Sequence, residues 1–151
     1  MNAQIIPDTE NVARALFSPK MIKDGEILPE AFRLRSSISE EYLSVMLMSI
    51  NSWIEDVKRI PQRKNRKLYG FAEMNVGEIR HIQLKGVEYD VKDCSQNGVP
   101  SHAGIFISVN GESLIGGKVV STIEPAIEQD FMLLAIQREL VDIAQKGLYT
   151  V

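Results

Sequence analysis

Apolar and polar positions along this chain follow two periods, and the switches between them mark its elements. The two-residue period is clearest where Val87, Tyr89 and Val91 interleave with Glu88, Asp90 and Lys92; it predicts a strand with one wet face. Residues 41–48 read EYLSVMLM, apolar from Tyr42 to Met48 apart from Ser44, which predicts a strand covered on both faces. Residues 67–74, with Leu68, Tyr69 and Phe71, predict another. The run HAGIFISV ends at Asn110-Gly111, a favoured hairpin signal. Residues 114–120 are the expected return strand, with Gly116-Gly117 marking a bulge.

The helical period predicts the remaining elements. Leu133, Ile136, Leu140 and Ile143 recur at helical spacing within 124–146, while Ile127, Phe131 and Leu134 broaden the stripe. Pro125 suits a first turn and Gly147 a stop. So wide an apolar face needs a sheet, or a second subunit, to cover it. A shorter helix is expected after Asn51 or Ser52, with Glu55 in capping-box position. Its stripe is Trp53, Ile54, Val57 and Ile60, and Pro61 ends it. Asn75 is the expected cap of a third helix running through Ile79 and Ile82 to Gly86. Near the start, Asp8 and Thr9 read as caps of a helix over 8–17 that carries Val12, Ala15 and Leu16. Asp24-Gly25 marks a turn, and Pro29 begins one helical turn through Phe32.

These elements predict a single α+β domain over 1–151, with residues 1–8 flexible. Its sheet is expected to be mixed or mainly antiparallel, with about four to five strands, helices on one face and the long C-terminal helix as main cover. A hydrophobic content of 44% and a charged content of 25% exclude disordered and fibrous classes. No apolar run is long enough for a bilayer, and MNAQIIPDTE lacks a secretory signal. The lone Cys94 allows no intrachain disulfide, which places the expectation in the cytoplasm. A net charge of -3 argues against a dedicated nucleic-acid binder. The one candidate for phosphate contacts of that kind is the basic connector Arg59, Arg63, Lys64, Arg66 and Lys67, which reads as a solvated loop.

The chain has no Walker loop, no GxGxxG and no GxSxG elbow. Two histidines and one cysteine are too few for a metal site unless carboxylates complete it, so no metal or cofactor is expected. His102 stands where a polar loop meets an apolar strand, well placed to present an imidazole to a cleft. Ser44 and Arg14 are its expected companions, one supplying a hydroxyl and the other a guanidinium for an anion. Ser36 and Ser37 are further hydroxyls. His81 reads as a surface residue, and Cys94 as a passive thiol because Asp90 and Asp93 would raise its pKa.

Met21-Ile22-Lys23-Asp24-Gly25, Pro29-Glu30-Ala31-Phe32, Tyr42-Leu43-Ser44-Val45 and Pro100-Ser101-His102-Ala103 occur in that order. The series resembles a family of small bacterial proteins of unassigned function, whose DG turn, Ala-Phe step, Leu-Ser-Val strand and Pro-Ala-His-Ala-like turn follow in the same order. The likeness runs between Val12 and Ile105; Ser101 stands where alanine is usual, and the C-terminal helix lies beyond it. It implies a compact bacterial domain in which Phe32, Ser44 and His102 converge, and it implies no reaction.

Two functions follow as expectations. The first is a non-catalytic accessory or protein-interaction domain, from a defence, toxin or mobile-element cassette, that self-associates through the C-terminal helix. The alternative is a small enzyme or nucleotide-binding protein, ADP-ribosyltransferase-like, using a His/Ser/Arg pocket. A concave pocket holding His102, Ser44 and Arg14 favours the second, and a flat site the first.

Overall fold

In the computed structural model, which describes residues 5–60, 66–95, 98–119 and 126–150, Asn11–Ser18 forms a strand, β1, instead of the expected helix over 8–17. The reason lies in its two faces. Val12 and Leu16 enter one core, while Ala15 and Phe17 enter a second. A strand covered on both sides is apolar at both parities, and its spacing then imitates a helix. Asp8 caps no helix; its carboxylate meets Arg80 Nη1 at 2.8 Å. Ile6 is buried, and its carbonyl accepts from Arg80 Nη1 at 2.6 Å.

The Asp24-Gly25 turn joins β2 (Ile22–Lys23) to β3 (Glu26–Ile27), and Pro29–Phe32 is the expected single helical turn, of 3-10 type. There follow β4 (Leu43–Leu47), α1 (Trp53–Lys58), β5 (Lys67–Asn75), α2 (Val76–Arg80), β6 (Val87–Asp93) and β7 (His102–Val109). After Asn110-Gly111 the return strand β8 is only Glu112–Ser113, and a bridge between Ile115 and Lys118 closes the turn at Gly116-Gly117. Helix α3 (Ala126–Gln145) leads to β9 (Leu148–Thr150), a strand too short for its pattern to announce. The expected roles of Pro61, Val120 and Pro125 fall outside the described residues.

Seven strands form one sheet in the order β6-β7-β4-β1-β5-β9, with β8 also on β7. Every ladder is antiparallel. The sheet is thus an α+β domain's, and larger than the four or five strands expected, because β1 and β9 join it. Helices lie on both faces rather than one. On the first face Val76 and Ile79 of α2, with Ile136, Leu140 and Ala144 of α3, pack on Leu43, Val45, Ala72 and Ile105. On the second, α1 sets Val57 and Trp53 against Ala15, Phe17 and Met46. The stripe of α3 is narrower than expected, since Phe131 is 69% exposed. Tyr89 Oη donates to the Ile136 carbonyl at 2.9 Å, a bond between β6 and α3.

The caps follow the sequence in part. Asn75 Oδ1 accepts from the Glu78 amide at 3.0 Å, as a cap should, but α2 stops at Arg80, short of Ile82. Ser52 precedes α1 without a capping box to Glu55; its hydroxyl turns to Asp56 Oδ2 at 3.1 Å. Ile54 faces solvent at 46% exposure. At the β5–β9 seam, a Cβ on Gly70 would lie 1.9 Å from the Tyr149 carbonyl oxygen, so only glycine lets β9 approach.

Candidate functional site

The β1–β4 ladder registers Val12 with Leu47 and Ala13 with Met46, and ends there. Met48 donates its amide to the Asn11 carbonyl at 3.0 Å. Backbone groups alternate sides along an antiparallel strand, so the even-numbered residues of β4 face β1. The Ser44 carbonyl is therefore the next group to need a partner as the strands part. Arg14 supplies it: Nη1 donates to the Ser44 carbonyl at 2.7 Å, while Nε and Nη2 donate to the Ala31 carbonyl at 3.1 and 2.9 Å. The guanidinium also lies 5.9 Å from the Phe32 ring centre.

Beside this opening the second face of the sheet carries a concave pocket of about 700 Å³. Ala13, Ala15, Ser44, Met46 and His102 lie along its strands, and Phe17, Ile60 and Val99 add apolar wall. Its charge is one-sided: Arg14, Lys20, Arg33, Arg35, Arg59 and Arg66 meet only three carboxylates, Glu30, Glu40 and Asp56, among the described lining residues. Arg33, Arg35 and Arg59 each pair with one of these acids, at 3.6, 3.0 and 3.9 Å. Arg66 lies over the Phe17 ring at 4.5 Å. Arg14 differs from the paired arginines. Its bonds to described residues go to carbonyls and engage three of the five guanidinium donors. Burial pushes its pKa down to about 10; the Glu40 charge opposes the shift, and Arg35 and Arg66 add to it. Arg14 is still a cation at neutral pH, held in a place that disfavours one.

His102 and Ser44 come together across the β4–β7 ladder, where Met46 registers with His102 and Ser44 with Gly104. His102 Nε2 lies 3.2 Å from Ser44 Oγ. Burial lowers the imidazole's pKa, with a hydrogen bond at the Cys94 backbone and the Asp93 charge acting the other way. A neutral ring beside a hydroxyl is the arrangement that general-base chemistry uses. Tyr42 braces it: its ring centre is 5.7 Å from that of His102. Tyr42 also crosses Gly104, where a Cβ would come within 2.5 Å of its ring.

The expected trio of His102, Ser44 and Arg14 thus lines one pocket, linked through Ser44. Phe32 reaches it only through Arg14, since its own ring is buried in the first core. Ser36 and Ser37 are exposed, outside the pocket lining. His81 is exposed and bonded to the Gly77 carbonyl at 2.6 Å. Cys94 is a buried free thiol whose pKa burial raises, with Asp93 adding to the shift. Asp90, expected to act on Cys94 as well, is engaged instead by Arg80 Nε at 2.8 Å. Of the basic connector, Arg59 and Arg66 line the pocket, Lys67 is exposed, and Arg63 and Lys64 lie outside the described residues.

Sequence reasoning missed Asp56 and Ser101. Asp56 is 7% exposed, and its Oδ2 accepts from Ser101 Oγ at 2.5 Å and from Ser52 Oγ at 3.1 Å. Ser101 is fully buried, and its hydroxyl lies 3.4 Å from Met46 Sδ. The one signal available was the i,i+4 spacing of Ser52 and Asp56, which puts both on one helical face. Among the described residues no three His, Cys, Asp or Glu side chains are grouped to hold a metal ion, and no helix is long and apolar enough to cross a membrane. No protein-family model matches the chain, and neither a curated protein nor a solved structure does.

Proposed function

We propose that this chain binds a small phosphate-bearing ligand, of nucleotide size, in the cationic pocket beside the parting of β1 and β4. The observation that carries the reading is Arg14: a half-buried guanidinium held by carbonyls, with donors left over, at the wall of a pocket already rich in arginine. Such a cation is stabilised by an anion that enters the pocket with it. The pocket's volume of about 700 Å³ falls within the ordinary range for small-molecule sites. This is the nucleotide-binding alternative of the two sequence expectations. Its enzymatic form uses His102 to take the proton of the Ser44 hydroxyl or of a ligand hydroxyl bound beside it.

The test is isothermal titration calorimetry with inorganic phosphate, AMP, ADP and NAD, on the wild type and on Arg66→Ala. Saturable binding that weakens about tenfold when Arg66, one of the lining arginines, is removed supports the reading; no heat from any of the four refutes it. Incubation with NAD, followed by chromatography for released nicotinamide, tests the ADP-ribosyltransferase-like form separately.

A second reading rests on a different observation. Phe131 is 69% exposed on α3, and a large apolar side chain there suits self-association through that helix. Light scattering of the wild type and Phe131→Asp tests it: a dimer that the substitution splits supports the reading, and a wild-type monomer removes it.

A further inference from the structure

The pocket has one feature that a purely anionic ligand does not use. Asp56 lines it yet is 7% exposed, and both hydroxyls it accepts converge on the same oxygen, Oδ2. Among the described residues, Oδ1 has only the ion pair with Arg59 Nη1 at 3.9 Å, longer than a hydrogen bond. The Arg59 side chain is 77% exposed, so its attraction is largely screened by water. Since no buried polar side-chain atom among the described residues lacks a partner, Oδ1 is open to the pocket, where a ligand's hydrogen-bond donor can reach it.

Its place relative to Arg14 sets the spacing. Ser101 Oγ bonds Asp56 and also touches Met46 Sδ, so Asp56 stands at the Met46 end of β4. Arg14 stands at the Ser44 carbonyl. Two residues of an extended strand separate those ends by about 7 Å. Arg14, with the charges of Arg35, Arg66 and Glu40 acting on it, thus stands at one end of the pocket, and Asp56, with the exposed Arg59 beside it, at the other.

We infer that the ligand of this pocket is dipolar: a phosphomonoester whose far end carries a primary amine that donates to Asp56 Oδ1. The inference rests on the phosphate reading above, adding the chemistry of the ligand's second end. Ammonium-to-carboxylate bonds at a sheltered site are strong enough to select, and an uncharged end of the same length leaves Oδ1 unmet.

Calorimetry on the wild-type protein with three probes separates the two claims: inorganic phosphate, propyl phosphate and 3-aminopropyl phosphate. The expected result is that the amine-bearing probe binds at least about tenfold tighter than propyl phosphate, and that Asp56→Asn, checked by circular dichroism for an unchanged fold, removes most of that preference. Equal binding of the two alkyl phosphates overturns the dipolar ligand while leaving the phosphate reading in place. Binding by none of the three overturns both. The comparison of probes is made on the wild type, so it decides the matter even where Asp56→Asn fails to fold.

Discussion

Arg14 Nη1 donates to the carbonyl of Ser44 at 2.7 Å, at the point where β4 and β1 cease to pair. A side chain there takes over work that a backbone amide does elsewhere in the sheet. Its planar fork also reaches the Ala31 carbonyl with two further donors, something a lysine's single ammonium cannot reproduce. Arg14→Lys is expected to cost about 2 kcal/mol in urea denaturation and to weaken phosphate binding at least about tenfold. A variant as stable as the wild type would show that the carbonyls find other donors.

Ser101→Ala removes the 2.5 Å hydrogen bond to Asp56 and leaves a buried carboxylate with one hydroxyl fewer. The expected loss is about 1–3 kcal/mol, in the range for bonds to charged groups. Ser52→Ala removes the other hydroxyl, on the same oxygen, so the two losses are expected not to add. A double-mutant cycle in urea measures the coupling, and strict additivity would deny that they share one acceptor.

The lowered pKa of His102 has a sign that can be worked through. Burial disfavours the charged ring, so the folded state takes up its proton at lower pH than the unfolded chain, which does so near its ordinary value of 6.5. Between those points the unfolded state binds more protons, and stability falls as pH falls. The contribution is complete above the unfolded value and lost as pH drops through the folded one. The wild type's urea midpoint should therefore decline more steeply than that of His102→Gln between about pH 7 and about pH 5. Parallel curves would exclude a half-buried neutral imidazole.

Gly70→Ala places a methyl group 1.9 Å from the Tyr149 carbonyl oxygen, and the obstacle is backbone rather than a movable side chain. β9 must shift away from β5. Overpacking of this kind costs about 1–3 kcal/mol, and amide hydrogen exchange should quicken in Leu148–Thr150 ahead of β1 or β7. Unchanged protection of β9 would contradict the close packing.

Tyr89→Phe deletes only the hydroxyl that donates to Ile136. That carbonyl lies within α3, where the helix offers it an amide as well, so the loss is expected to be about 1 kcal/mol. A loss several times larger would mean that the hydroxyl holds α3 in place.

Sequence pattern reached some of this fold and missed the rest for identifiable reasons. The alternation in β6 and the helical stripe of α3 were legible because each element has one wet face, so polarity records its period. β1 was not, because Val12 and Leu16 point into one core and Ala15 and Phe17 into another. β9 has three residues, fewer than two full periods of a strand. At the site, His102, Ser44 and Arg14 were legible as chemically capable side chains. Asp56 was not, because its i,i+4 spacing from Ser52 is the sole local sign, and the partner that buries it, Ser101, lies 45 positions away.

The position of β1 has a kinetic consequence. It lies inside the sheet between β4 and β5, and Asn11 finds Asn75 across 64 positions of chain. The neighbours of β1 both come later in sequence and neither is joined to it by a tight turn, so each ladder closes a long loop before it gains a contact. The β6–β7 pair, by contrast, spans as few as ten positions between Asp93 and Ala103. Folding is then expected to start from that local pair and to wait on β1, in the slow millisecond-to-second range of chains dominated by distant pairings. The pocket lined by Arg14, built where β1 leaves β4, is assembled only when that slow step is complete.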